Sequence, residues 1–229
     1  MRVHVAFTPR EATVVPTGIV VDVLRATSTI VQALHSGYDA VFCCAEIGAA
    51  RALREELGDA VLGGERGAEP IPGFKLGNSP RDVLDPRARA LVLTTTNGTR
   101  ALVTAADDCD VVLAGSLLNL GAVAAAARER GQDVEVVCAG VQGRFTQDDA
   151  YCAGRIAALL GGEPSEAAEE AMRLAASFPG PEEAFRAARA VGETISEEDL
   201  LWCAQESVTA VVPHLVGLHG PAAELRILR

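Results

Sequence analysis

Leu91-Val92-Leu93-Thr94-Thr95-Thr96-Asn97-Gly98-Thr99-Arg100-Ala101-Leu102 is an apolar run that stops abruptly, passes through seven small or polar residues and resumes with Ala and Leu at helical spacing. That is the outline of a buried strand, a tight loop and a helix N-terminus. Gly98 admits backbone angles that a side chain forbids. The free N–H groups at a helix start favour an anion. Thr94, Thr95, Thr96, Thr99 and Asn97 add short-range hydrogen bonds, and Arg100 adds a positive fork suited to phosphate, sulfonate or carboxylate. The plainer reading is a polar strand-to-helix turn with an N-cap. A cap needs one hydroxyl and this loop offers four, which favours an anion cradle for the run as a whole.

The same strand–loop–helix rhythm extends in both directions. Residues 3–7 alternate as a strand, as at a sheet edge. Gly18–Val23 reads as a buried strand ending on Asp22, and Ala26–His35 as a helix with Gly37 past its end. Strands follow at 39–45 and 60–63, with an amphipathic helix over 46–57 between them. Beyond the quoted stretch, strands are expected at 111–114 and 133–139 and helices at 98–106, 120–130 and 148–160. Residues 64–89 break the rhythm as a long loop; with Ile71, Phe74 and Leu76 in it, an ordered active-site loop is expected rather than a disordered one. Residues 162–204 are Glu- and Ala-rich and read as a helical cap or flank. Strands are expected again at 207–212 and 224–228. Alternating strands and helices with short connections predict an α/β fold: three layers, α/β/α, with a mainly parallel or mixed sheet and helices on both faces. The chain reads as a single domain over 1–229 with the helical flank at about 162–204.

Composition bounds the function. The 229 residues suffice for one large α/β domain or two small lobes. The chain is 49% hydrophobic but only 4% aromatic, so its core is built from Ala, Val and Leu. A net charge of −11 argues against nucleic acid or an anionic membrane as the main partner; an anionic substrate then needs a local positive pocket. One lysine, Lys75, stands against nineteen arginines, a bias that lowers the weight of any single arginine. Six cysteines with no Cys-x-x-Cys pair and no zinc spacing suggest buried reduced thiols in a cytoplasmic protein. No signal peptide or membrane span is evident. A homo-oligomer stays open. His4, His35, His214 and His219 sit in no cluster and read as surface or packing residues.

Four further strand ends carry polar clusters, and in an open parallel sheet ligands bind where strands end. Asp22 with Arg25 offers a metal ligand, base or nucleophile beside an anion-holding arginine, or simply a helix cap. Glu65 and Arg66 stand between glycines, either approaching a ligand or forming an exposed turn with a trivial ion pair. Asn78 and Ser79 are good oxyanion donors, or a turn with an N-cap. Asp148 and Asp149 open a helix after Gly140–Thr146; the pair suits magnesium as well as plain helix-dipole compensation, and Asp149 is expected to be the functional one and Asp148 a surface cap. Together these clusters supply oxygens for a hard cation and donors for an oxyanion, a combination suited to metal-assisted phosphate hydrolysis. The Walker signature and the Gly-x-Gly-x-x-Gly turn are absent, which counts against nucleotide or NAD binding.

Val21-Asp22-Val23-Leu24-Arg25-Ala26-Thr27, Gly64-Glu65-Arg66, Gly73-Phe74-Lys75-Leu76-Gly77-Asn78-Ser79-Pro80, Thr95-Thr96-Asn97-Gly98-Thr99-Arg100 and Cys138-Ala139-Gly140 with Asp149 resemble, in this order, the 2-phosphosulfolactate phosphatase family of coenzyme M biosynthesis. The resemblance covers about residues 18–160 and runs weakly to Val212-Pro213. It implies a Mg²⁺-dependent phosphoric monoester hydrolase acting on a small anionic phosphorylated substrate, 2-phosphosulfolactate to 3-sulfolactate plus phosphate, and an α/β/α fold. The expected arrangement is Mg²⁺ on Asp22 and Asp149, with Glu65 a third ligand or a base. Arg25, Thr95, Thr96, Asn97, Gly98 and Thr99 would hold the phosphate, Arg66 or Arg100 the sulfonate or carboxylate, and Asn78 and Ser79 would complete the pocket. Attack by an activated water competes with an aspartyl-phosphate on Asp22. The latter resembles the haloacid-dehalogenase phosphatase layout but departs from it at Leu24, where that superfamily has a second Asp. A non-catalytic anion-binding or regulatory α/β domain is the alternative from another class.

Overall fold

The computed structural model describes residues 1–67, 69–189 and 195–229. In chain order the elements are β1 (Arg2–Ala6), β2 (Val15–Val21), α1 (Ala26–Ser36), β3 (Ala40–Cys44), α2 (Ile47–Leu57), β4 (Ala60–Arg66), β5 (Glu69–Pro70), β6 (Ala90–Thr94), α3 (Gly98–Asp108), β7 (Cys109–Gly115), α4 (Leu120–Glu129), β8 (Val134–Cys138), α5 (Gln147–Leu160), β9 (Glu163–Pro164), α6 (Glu166–Ala176), α7 (Pro181–Arg189), α8 (Glu197–Cys203), β10 (Pro213–His219) and β11 (Ala222–Ile227). The α/β class is as expected; among the described residues of 162–204 lie the helices α6, α7 and α8 and the two-residue strand β9.

The sheet order is β5-β4-β6-β3-β11-β10-β7-β2-β8-β1-β9. Strands β3, β6 and β8 are buried along their whole length, which is why they read as continuous apolar runs rather than alternating ones. The sheet holds two parallel blocks. In one, β4 and β3 flank β6; in the other, β7 and β8 flank β2, and β1 adds to β8. Between them lies the antiparallel hairpin β10–β11, with β11 antiparallel to β3 and β10 touching β7 at the single pair His214↔Leu113. Strand ends from the two blocks therefore do not line one edge of a single parallel sheet, which corrects the simplest form of the strand-end rule. Helix α3 instead packs on strands of both blocks, β2 and β7 on one side and β3 and β11 on the other.

The buried apolar side chains form clusters on both faces. One joins Ile19, Leu113 and Val136 to Tyr151 and Ile156 of α5 and Phe185 of α7. Another joins Ile30 and Leu34 of α1 to Leu91, Leu93 and Leu102. A smaller one holds α2, through Leu53, against Phe42 and Val92.

Two stretches depart from the expectation. Strand β4 runs on to Arg66 and turns back into β5, so Glu65 and Arg66 lie in a strand and not in an exposed turn. Gly64 permits this: its φ is +140°, and a Cβ there would meet the Thr94 carbonyl at 1.9 Å, so only glycine lets β4 approach β6 so closely. Residues 207–212 are not a strand; the strand begins at Pro213, a first position where the missing N–H costs no ladder bond. Within the long loop Ile71 and Leu76 are buried, and Leu76 is bonded through its backbone to Leu62 and Gly64. Among the described residues no helix is long and apolar enough to cross a membrane.

Candidate active site

Asp22 is the residue on which the two blocks meet. Strand β2 ends at Val21, and the chain passes the cis Leu24–Arg25 peptide before α1 begins. The Asp22 carboxylate accepts the Ala26 amide at 3.2 Å, at the head of α1. On its other side stands the head of α3: a Cβ on Gly98 would lie 2.4 Å from Asp22 Oδ2 and 2.6 Å from Ala26 Cβ. The positive ends of two helices thus face one carboxylate. The loop after β8 arrives at the same place, its Gln142 amide donating to Asn97 Oδ1 at 3.0 Å.

Asp149, 4% exposed, sits in the first turn of α5 and brackets two strand ends. Its Oδ1 accepts the Val23 amide at 2.9 Å and its Oδ2 the Gly140 amide at 3.0 Å. Burial pushes its carboxyl well above the usual range. The neighbouring Asp148 and Asp22 charges push the same way, against the two N–H bonds. Asp148 is also raised, chiefly by burial, so it is not the exposed surface cap expected of it. Three acids thus crowd one region, with a carboxylate held against its own titration. That is the electrostatic condition that a cation relieves.

Glu65 is engaged elsewhere. Its Oε1 accepts the Thr96 amide at 2.7 Å and its Oε2 the Thr96 hydroxyl at 3.0 Å. Among the described residues no three His, Cys, Asp or Glu side chains converge as a metal-binding group. Asp22, Glu65 and Asp149 are therefore not gathered as three ligands in this conformation. The Asp22 charge acts on the Asp149 carboxyl, whereas Glu65 is engaged with Thr96.

The four hydroxyls of the loop after β6 all have partners inside the protein. Thr95 and Thr99 form a reciprocal pair: the Thr95 amide donates to Thr99 Oγ1 at 3.0 Å, the Thr99 amide to Thr95 Oγ1 at 3.2 Å, and the hydroxyls are 2.8 Å apart. Thr96 binds Glu65, and Thr94 Oγ1 accepts Arg66 Nη2 at 2.7 Å. Arg66 also reaches the carbonyls of Glu65 and Ala45 at 2.8 and 2.7 Å, so its guanidinium joins β3, β4 and β6 as a strut. The run builds a rigid turn, leaving the N–H groups of Asn97 and Gly98 at the head of α3 with no acceptor among the described residues. Arg100 points away from this turn: it is exposed and pairs with Glu46 at 3.4 Å.

Asn78 is buried, with an Oδ1 that has no hydrogen-bond partner among the described residues. Ser79 accepts the Arg81 amide as the cap of a short 3₁₀ turn and donates to Asp199 Oδ1 at 2.6 Å. Asp199 is the residue that sequence reasoning missed. It lies in α8, within the helical flank, and its other oxygen pairs with Arg25 Nη1. Its only sequence signal, Ser196 three residues before it, reads as an ordinary helix start, and Ser196 does accept the Asp199 amide.

The loops after β2, β6 and β8 thus bring acids, an arginine and the heads of two helices into one part of an α/β fold, at strand ends where such folds bind ligands. The chain belongs to the family described as 2-phosphosulpholactate phosphatase, which matches residues 5–217. It is 40% identical, over 97% of its length and 98% of the relative's, to a Thermus thermophilus protein named "Probable 2-phosphosulfolactate phosphatase". It is 40% identical to a Methanothermobacter thermautotrophicus protein named "2-phosphosulfolactate phosphatase", over 85% of this chain and 84% of the other. A Deinococcus radiodurans protein bearing the "probable" form of the name is 39% identical over 92% of both chains. The resemblance carried by the motifs is thereby borne out.

Proposed function

We propose that this chain is a phosphatase that hydrolyses the phosphate monoester of a small sulfonated hydroxy acid, 2-phosphosulfolactate, to 3-sulfolactate and phosphate. The observation that carries the reading is Asp22, set between the heads of α1 and α3 and close enough to Asp149 to raise its carboxyl. Names carried by close relatives over nearly their whole length supply the substrate.

Asp22 and Asp149 would hold a divalent cation, for which we take Mg²⁺. Bound there, the cation would neutralise phosphate charge and acidify a water. The chain's own residues do the rest. Arg25, whose side chain is 15% exposed, presents its remaining N–H groups to an anion. The Asn97 and Gly98 amides at the head of α3 supply neutral donors to phosphate oxygens. Asn78 offers a buried amide for substrate orientation. Glu65 and Arg66 act one step back, by holding the Thr94–Thr99 turn in shape. Six cysteines, all outside disulfides, suit a reducing cytoplasm.

Phosphate release by the purified protein tests this, with Mg²⁺ and then with EDTA, from 2-phosphosulfolactate, phospholactate and an aryl phosphate. Cation-dependent turnover that prefers the sulfonated acid is expected, with loss by orders of magnitude in Asp22→Asn. Turnover on the other two alone would remove the substrate assignment. No release from a folded, cation-loaded protein would remove the phosphatase.

A further inference from the structure

We infer that Asp199, from the helical flank, is a positioning residue for the reaction: one buried carboxylate holds both the Arg25 guanidinium and the Ser79 hydroxyl in place. The inference rests on the phosphatase reading above and deepens it.

Three observations converge. Asp199 is 3% exposed, and each of its two oxygens serves a different loop. Oδ1 accepts Ser79 Oγ at 2.6 Å, from the long loop between β4 and β6. Oδ2 accepts Arg25 Nη1, from the loop after β2. An ion pair this buried is weak evidence for stability, because desolvation of both charges offsets their attraction; its better-attested use is to specify one geometry. Arg25 spends a single nitrogen on Asp199, and its other N–H groups have no acceptor among the described residues. A planar fork held at one corner presents the remaining donors in a fixed direction. A purely structural arginine would be ringed by carbonyls, as Arg66 is.

The flank is itself anchored. Trp202 Nε1 donates to Gln32 Oε1 of α1 at 3.2 Å, so α8 is fastened to the helix that Arg25 precedes. Asp199 therefore sits on a rigid element rather than on a loose lid, as a residue that must orient another requires.

The test is a double-mutant cycle, Asp199→Asn, Arg25→Ala and both together, assayed by phosphate release from 2-phosphosulfolactate at saturating Mg²⁺, with thermal melts alongside. Loss of a partner that orients a functional side chain costs about 10–100-fold. Asp199→Asn is expected to raise KM at least about tenfold with a cooperative melt retained. Damage that merely lowers the active fraction would reduce kcat and leave KM alone. On the Arg25→Ala background the Asp199 change should cost clearly less than it does in the wild type, because only the Ser79 hydroxyl is then left for it to hold. Guanidinium ion added to Arg25→Ala should restore part of the activity, and should fail to do so in the double variant. Should Asp199→Asn not fold, Asp199→Glu keeps the charge and displaces the guanidinium; the same rise in KM is expected. Full additivity, or an unchanged KM in the variant that folds, overturns the role of Asp199 while leaving the phosphatase standing. A folded wild-type protein that releases no phosphate overturns both.

Discussion

Replacing Gly98 by Ala isolates the contact on which the site depends. By helix propensity alone the change is favourable, by about 1 kcal/mol at most, and Gly98 lies in the first turn of α3 with an ordinary φ. The new methyl carbon would nevertheless stand 2.4 Å from Asp22 Oδ2, 2.6 Å from Ala26 Cβ and 2.9 Å from Asp22 Cβ. Reaching normal contact requires Asp22 or the head of α3 to yield by about 1 Å, and the cost of such overpacking is about 1–3 kcal/mol. Ala26 is fully buried at the start of α1, so it cannot be the group that gives way. Propensity and clash oppose each other, and the net loss of stability should stay under about 2 kcal/mol. For a chain of this size that is a fall of less than about 8 °C in Tm. Activity has no such offset. A reacting group misplaced by about 1 Å costs about 100-fold, so kcat/KM should fall by that factor in a protein that still melts cooperatively. Phosphate release and a thermal melt on the same sample measure both. Wild-type kcat/KM in Gly98→Ala would refute the placement of Asp22 at the centre of the site.

Thr99→Val removes the hydroxyl that accepts the buried Thr95 amide, so stability should drop by about 1–3 kcal/mol, read as a fall in Tm of about 2–4 °C per kcal/mol. Glu65→Gln leaves an oxygen for the Thr96 amide; Mg²⁺ affinity by calorimetry should change less than about twofold, and a loss beyond about tenfold would make Glu65 a ligand after all. The Asp149 carboxyl is raised in the folded chain, so the folded state keeps that proton to a higher pH than the unfolded state does. Without cation, its contribution lowers stability as pH climbs from about 4 through the raised value. Cation affinity should tighten over the same window as the proton leaves; a Kd for Mg²⁺ that stays flat as the pH is raised above the ordinary carboxylate range would remove Asp149 from the cation site.

Much of the architecture was legible in local pattern. Strand β6 begins at Ala90 and ends at Thr94 as its apolar run indicates, and α1 stops before Gly37 because a left-handed residue ends a helix. The Ser207–Val212 strand failed because the chain there runs beside the end of β7, bonding Leu117 and Leu118 through Ser207 and Thr209 without forming a ladder. In the site, residue types were readable but their partners were not. Thr94, Thr95, Thr96 and Thr99 read as donors for a ligand, and the fold gives each an internal partner first. Arg66 and Arg100 looked alike; one became a strut across three strands and the other a surface ion pair.

By itself, then, the sequence determined the α/β class, the order of most elements, the family and the strand ends where chemistry could gather. These depend on periodicity, turn residues and short motifs, all within a few residues of one another. Only the tertiary structure decided that Asp22 meets Gly98 across two sheet blocks, that Asp149 is held by amides from two strand ends, and that Asp199 reaches back 174 residues to Arg25. Those contacts form when a hairpin inserts between the blocks and α3 packs on both. Side-chain hydrogen bonds and buried charges depend on which atoms that packing brings within about 3 Å, and no local pattern encodes that distance.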